Sequence, residues 1–162
     1  MRAAFALAVL LVGAVPAAAQ QHPAGHVHSD SAYAAMQARG QGVMGVDQYT
    51  SRHVFEPRPD GGRIELQREV DDTAGVAQIR RHLSEVAAAF ARGDFSAPFL
   101  VHAEDVPGTG VMAARRGAIR YAVRQLPRGG EIVITTRDSA ATTAVHEFLA
   151  FQRREHRAGG EK

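Results

Sequence analysis

Apolar and polar residues alternate with a period of two in four short stretches of this chain, and recur at helical spacing in two longer ones. His53 and Phe55 share one strand face before a Pro-x-Gly-Gly turn, and Ile64 and Leu66 share it afterwards. The pattern repeats with Ile119, Tyr121 and Val123, a second turn, then Ile132 and Ile134. The turns are Pro59-Asp60-Gly61-Gly62 and Pro127-Arg128-Gly129-Gly130, 68 residues apart. Proline sets φ and glycine accepts positive φ, so each stretch predicts a β-hairpin. A helical period follows each hairpin. Val76, Ile79, Leu83, Val86 and Phe90 form one stripe, capped by Asp72 or Thr73 and ended by Gly93. Ala141, Val145, Phe148, Leu149 and the stem of Gln152 form the other, capped by Asp138 or Ser139. Burying one stripe is worth on the order of 8 kcal/mol before entropy. The pattern therefore predicts an α+β fold of two ββα repeats, forming one four-stranded antiparallel sheet with two helices on one face. Such a duplication implies a pseudo-twofold axis, with sites expected where the halves meet.

The flanks change this picture. Arg2, the apolar run Ala3 to Val15 and Pro16-Ala17-Ala18-Ala19 read as a signal peptide over 1–19, cleaved near Ala19-Gln20. The run is shorter than the roughly 20 apolar residues that span a bilayer, so no membrane insertion is expected after cleavage. The expected location is periplasmic or secreted. Residues 20–42 read as a flexible His-containing leader with a short helix from Ser31 to Arg39, capped by Asp30 and ended at Gly40. Gly40 to Gly45 reads as a glycine loop. Residues 43–157 form a single α+β domain with halves at about 46–93 and 111–157, and 158–162 is a tail. The connection from Asp94 to Gly117 is too long and too apolar to be a passive link.

Composition narrows the chemistry. Cysteine is absent from the 162 residues, so neither a disulfide nor a thiolate is available. Net charge is +2, Lys162 is the one lysine, and the arginines alternate with acids. Nucleic acid asks instead for a concentrated basic stripe with aromatic interleaving, and is excluded as a partner.

Eight histidines remain to be explained. His22, His26 and His28 in the leader suit a loose site for Cu(II), Ni(II) or Zn(II). His53 and His102, with Met44 or Met112, suit copper, because thioether favours Cu(I) and imidazole serves either oxidation state. Buried, hydrogen-bonded histidines and core-filling methionines would give the same composition. His82, His146 and His156 fall on helix flanks and read as surface or boundary residues. His146-Glu147 is not the zinc-protease motif, since Ala150 stands where a second histidine is needed. The residues point to an exported binding or accessory protein that handles copper or a similar transition metal. A small hydrolase or transferase is the alternative, with His53 or His102 as general base, Asp47 orienting it, and an arginine holding an anion. A third reading is an interaction module. The uncovered sheet face, with Arg52, Val54, Glu56, Arg63, Glu65, Arg120, Arg124 and Val133, would receive a second copy or a periplasmic protein.

Several segments taken together resemble a known family. They are Val43-Met44-Gly45-Val46-Asp47-Gln48, His53-Val54-Phe55, Pro59-Asp60-Gly61-Gly62-Arg63-Ile64-Glu65, Gly93-Asp94-Phe95, His102, Pro107-Gly108, and His146-Glu147-Phe148-Leu149 leading to Phe151-Gln152 and His156. The family is one of small, exported or uncharacterised bacterial proteins, and the resemblance runs from Gly42 to Arg157. The resemblance draws attention to Asp47, His53, His102, Met112 and His146 and gives no role or activity for any of them. Some of its members carry a carbamoyltransferase label. Such enzymes are longer, with two doubly wound α/β domains and a Ser-x-Arg-Thr phosphate loop, and this chain has no such loop.

Overall fold

The computed structural model describes residues 29–158. Both predicted hairpins are present: β1 (Ser51–Arg58) with β2 (Gly61–Arg68), and β3 (Ile119–Leu126) with β4 (Gly129–Thr136). They join as one antiparallel sheet in the order β1-β2-β4-β3. Four α-helices precede β3, the first three being α1 (Asp30–Met44), α2 (Thr73–Ala91) and α3 (Ser96–His102). A short α4 (Thr109–Ala114) follows them, and α5 (Ser139–Glu155) closes the fold. The two stripe helices pack on one sheet face and cross between halves, α2 lying over β3 and α5 over β1. Their stripes bury Ile79, Leu83 and Phe90 against Val145, Phe148 and Leu149, above Leu66, Ile132 and Ile134.

The duplication holds at residue level. Ser51 to Ile119 and Gly61 to Gly129, the starts of equivalent strands, are each 68 residues apart. The helix caps run with an offset of 66, from Asp72 to Asp138, and each carboxylate accepts a backbone N–H three residues on. Ile64 pairs with Ile132, its own repeat equivalent, so the pseudo-twofold axis passes between these two residues. One contact shows how far the equivalence goes. A Cβ at Gly62 would collide with Leu149 Cδ1, and one at Gly130 would come within 3.0 Å of Leu83 Cδ1. Both glycines thus sit under equivalent leucines of the helices above, and a Cβ at either would also crowd a backbone carbonyl of the neighbouring strand, that of Glu56 or Arg124.

The first helix differs from expectation. It is capped by Ser29, which accepts from the Ala32 N–H, and it continues through Gly40 and Gly42 to Met44. Gly40 is a packing position, buried with Met36, Gln37 and Met44, and Gly45 in the left-handed region (φ 73°) ends the helix. Tertiary contact outweighs the glycine penalty of about 1 kcal/mol per residue. The helix is tied to α3 by Arg39 Nε, which donates to the Val101 carbonyl at 2.8 Å. The long connection is partly structured, as its length implied.

The opposite sheet face is roofed by its own ion pairs. Glu65 and Glu131 stand directly opposite each other on the central strands. Arg63 Nη1 donates to Glu65 Oε2 at 2.6 Å and to Glu131 Oε2 at 3.3 Å. Arg52 and Gln67 donate to Glu65 Oε1 at 2.7 and 2.8 Å. Glu65 is left 4% exposed and Val133 7% exposed, although no helix among the described residues covers them. Among the described residues no helix is long and apolar enough to cross a membrane.

Candidate functional site

A cavity of about 80 Å³ opens between the α2/α5 layer and the ends of α1 and α3. Its polar lining is His53 from β1, His82 from α2, His102 from α3, and Gln152 with His156 from the end of α5. Met44, the last residue of α1, borders it, and the rest of the wall is apolar. His53 stacks on His156 with ring centroids 4.9 Å apart. His102 meets His156 edge-on at 5.2 Å. His102 Nε2 and Gln152 Oε1 are hydrogen-bonded at 3.0 Å.

His53 and His156 also line an outer groove of about 660 Å³, together with Tyr33, Gln37 and Gln48. The stacked pair is thus the partition between cavity and groove. Five buried side-chain polar atoms lack a hydrogen-bond partner among the described residues, and four of them are here: Gln37 Oε1, Gln48 Oε1, His53 Nε2 and His156 Nδ1. An unpaired buried donor or acceptor costs about 1–3 kcal/mol, so this corner is held at the expense of stability.

The imidazoles are neutral near pH 7. Burial pushes His53 down to about 4, with the neighbouring His82 adding to the shift. His156 lies well below its usual value, through burial first and then the nearness of His53 and His102. Burial also lowers His102 and His82, against the hydrogen bond that His102 Nε2–H donates to Gln152 Oε1 in one case and the charge of Glu85 in the other. Neutral imidazoles offer lone pairs, and the cavity lining carries no carboxylate and no arginine.

The pseudo-twofold exposes what is unusual about this lining. The repeat offset sets Tyr121 at the position of His53, and the helix offset sets Phe90 at the position of His156. Phe90 and Tyr121 pack edge-to-face at 5.8 Å, and Phe148, the equivalent of His82, adds a third ring 5.8 Å from Phe90. Val86 stands where the other half has Gln152. One of the two symmetry-related sets (Val86, Phe90, Tyr121, Phe148) therefore fills these positions with hydrocarbon and phenol, which the fold accepts; the other carries three imidazoles and an amide. Packing alone does not call for that difference.

Of the residues singled out from the sequence, His53, His102 and Met44 do share this cavity. Met112 does not line it. It is a core side chain with 0% exposure on α4, which packs against α5. Asp47 is a turn residue: its carboxylate accepts from the Tyr49 N–H and the Thr50 hydroxyl, and it lines neither the cavity nor the outer groove that His53 lines. His146 Nε2 meets the Arg58 carbonyl at 2.9 Å and ties α5 to the first hairpin. His22, His26 and His28, like the signal segment, lie outside the described residues. His156 and His82, placed on helix flanks by periodicity, belong to the cavity instead. His156 was legible in one way only, by setting it against Phe90 in the repeat.

Among the described residues no group of three or more His, Cys, Asp or Glu side chains is arranged to hold a metal ion. No family model matches the chain, and no curated protein or solved structure matches it either.

Proposed function

We propose that this is an exported, periplasmic binding protein that takes one soft monovalent metal ion, Cu(I), at His53 and His156. Met44 and His102 border the site. One observation carries the reading: the aromatic pair Phe90 and Tyr121 is replaced, at the symmetry-related positions, by the imidazole pair His156 and His53, whose Nδ1 and Nε2 have no partner among the described residues. A low-coordinate centre of two neutral imidazoles with a nearby thioether suits Cu(I), and a monovalent ion enters an apolar cavity at lower desolvation cost than a divalent one. Binding asks the stacked rings to part and turn both lone pairs to one point, for which the cavity of about 80 Å³ leaves room. It would also relieve two of the four unpaired atoms. The outer groove gives the ion its way in, and the leader histidines make the first loose contact.

The test is an anaerobic Cu(I) titration against a chromophoric competitor. The purified chain is compared with a double variant, His53→Tyr with His156→Phe, which takes the residues found at the symmetry-related positions, Tyr121 and Phe90, and so keeps the packing. One ion bound by the parent and none by the folded double variant is the expected result. Equal binding by both would sink the proposal.

A further inference from the structure

The two edge strands occupy equivalent positions and are defended differently. On β1, Arg52 is paired with Glu65, Glu56 is paired with Arg63, and Pro57 removes a backbone donor from the edge. The equivalent residues on β3 are Arg120, Arg124 and Gln125. Arg120 has no ion pair among the described residues. Arg124 is 65% exposed and reaches Glu131 only at 3.7 Å. No proline interrupts β3, and four consecutive residues, 122–125, are exposed. β3 is thus an eight-residue edge with open backbone groups and two same-face arginines, neither held by a close ion pair. Its first turn leads into a groove of about 1090 Å³ lined by Arg120, Tyr121, Arg137, Asp60 and Asp138. Asp138 is engaged there by Arg115 and by the α5 cap, and Arg137 has no ion pair among the described residues.

We propose that the β3 edge accepts an extended acidic segment of a partner protein as a fifth strand of the sheet. Charge decides the occupant. A second copy pairing antiparallel about Ala122 would set Arg120 opposite Arg124, and like charges directly opposed are unfavourable. An acidic strand reverses that sign, with main-chain hydrogen bonds supplying affinity and carboxylates supplying choice. Two acids on one face, spaced as Arg120 and Arg124 are, would meet both guanidiniums.

The probe is a short fluorescent peptide of alternating valine and threonine with two glutamates at that spacing, mixed with the full chain. Its companions are a lysine version and a glutamate version N-methylated at alternate backbone nitrogens. Fluorescence anisotropy should show binding of the glutamate peptide alone. N-methylation should weaken it at least tenfold, roughly one edge hydrogen-bond pair's worth. Arg120→Glu with Arg124→Glu, both exposed, should leave the fold intact and shift preference to the lysine peptide. Equal binding of the N-methylated peptide would reduce the edge to a charged patch. Failure to bind the glutamate peptide, or a preference for anionic phosphatidylglycerol vesicles over it, would overturn the proposal. Cu(I) binding is untouched by these variants, so the two readings fail separately.

Discussion

Mild acid should unfold this protein through its histidines before its carboxylates are involved. In the fold His53 stays neutral down to about 4, against an ordinary value of 6.5. The unfolded chain therefore binds more protons than the folded one between those limits. Stability is complete above pH 6.5 and falls as the pH drops toward 4, the direction expected of a histidine buried neutral. Taking His53 alone from about pH 7.5 to about pH 4.5 costs about 2.5 kcal/mol. His156, shifted the same way, adds to it. Glu56, Glu65, Asp94 and Asp138 are all lowered from ordinary values of 4.5 or 3.8, so their contribution is lost only at lower pH. The window above 4.5 thus belongs to the imidazoles. Urea denaturation followed by circular dichroism, at a series of pH values across that window, gives the slope directly. The His53→Tyr and His156→Phe double variant should flatten it. A parent that is equally stable at about pH 7.5 and about pH 4.5 would refute the neutral, buried state of these rings.

Other expectations follow from single contacts. Gly62→Ala drives a methyl into Leu149 and the Glu56 carbonyl, and should cost about 1–3 kcal/mol in thermal or urea unfolding. Asp72→Ala and Asp138→Ala each remove a helix cap and should cost about 1 kcal/mol apiece. The pair should add, since the caps sit on different helices. Arg63→Ala leaves Glu65 and Glu131 facing each other without the cation between them, for a loss of about 2 kcal/mol.

The sheet and its two helices were legible because each is written twice, and because Pro-x-Gly-Gly, the period-two faces and the Asp caps all agree. α1 was hidden by Gly40 and Gly42, which read as loop; Gly40 serves as a close-packing position against Met44 and Gln48, and Gly42 is an exposed helical residue with open space beside it. Met112 and Asp47 carried suggestive chemistry, yet one fills the core and the other closes a turn. The site was half visible. His53 and His102 are there, but His156 sits at the frayed-looking end of a helix, where periodicity says little about burial. What brings it inward is the crossing of α5 over β1, a tertiary fact that no local pattern records.

The axis between Ile64 and Ile132 also bears on why the two units are joined in one polypeptide. Were the same sheet assembled from two identical ββα chains, any residue placed at one site would appear at the other. An imidazole at the His53 position would force one at the Tyr121 position, and both ends of the core would carry unpaired nitrogens. A single chain escapes that bookkeeping. The set around Tyr121 can stay apolar apart from that residue's own unpaired hydroxyl, while the set around His53 tolerates two unpaired imidazole nitrogens, so the larger cost falls on one side of an otherwise symmetric body.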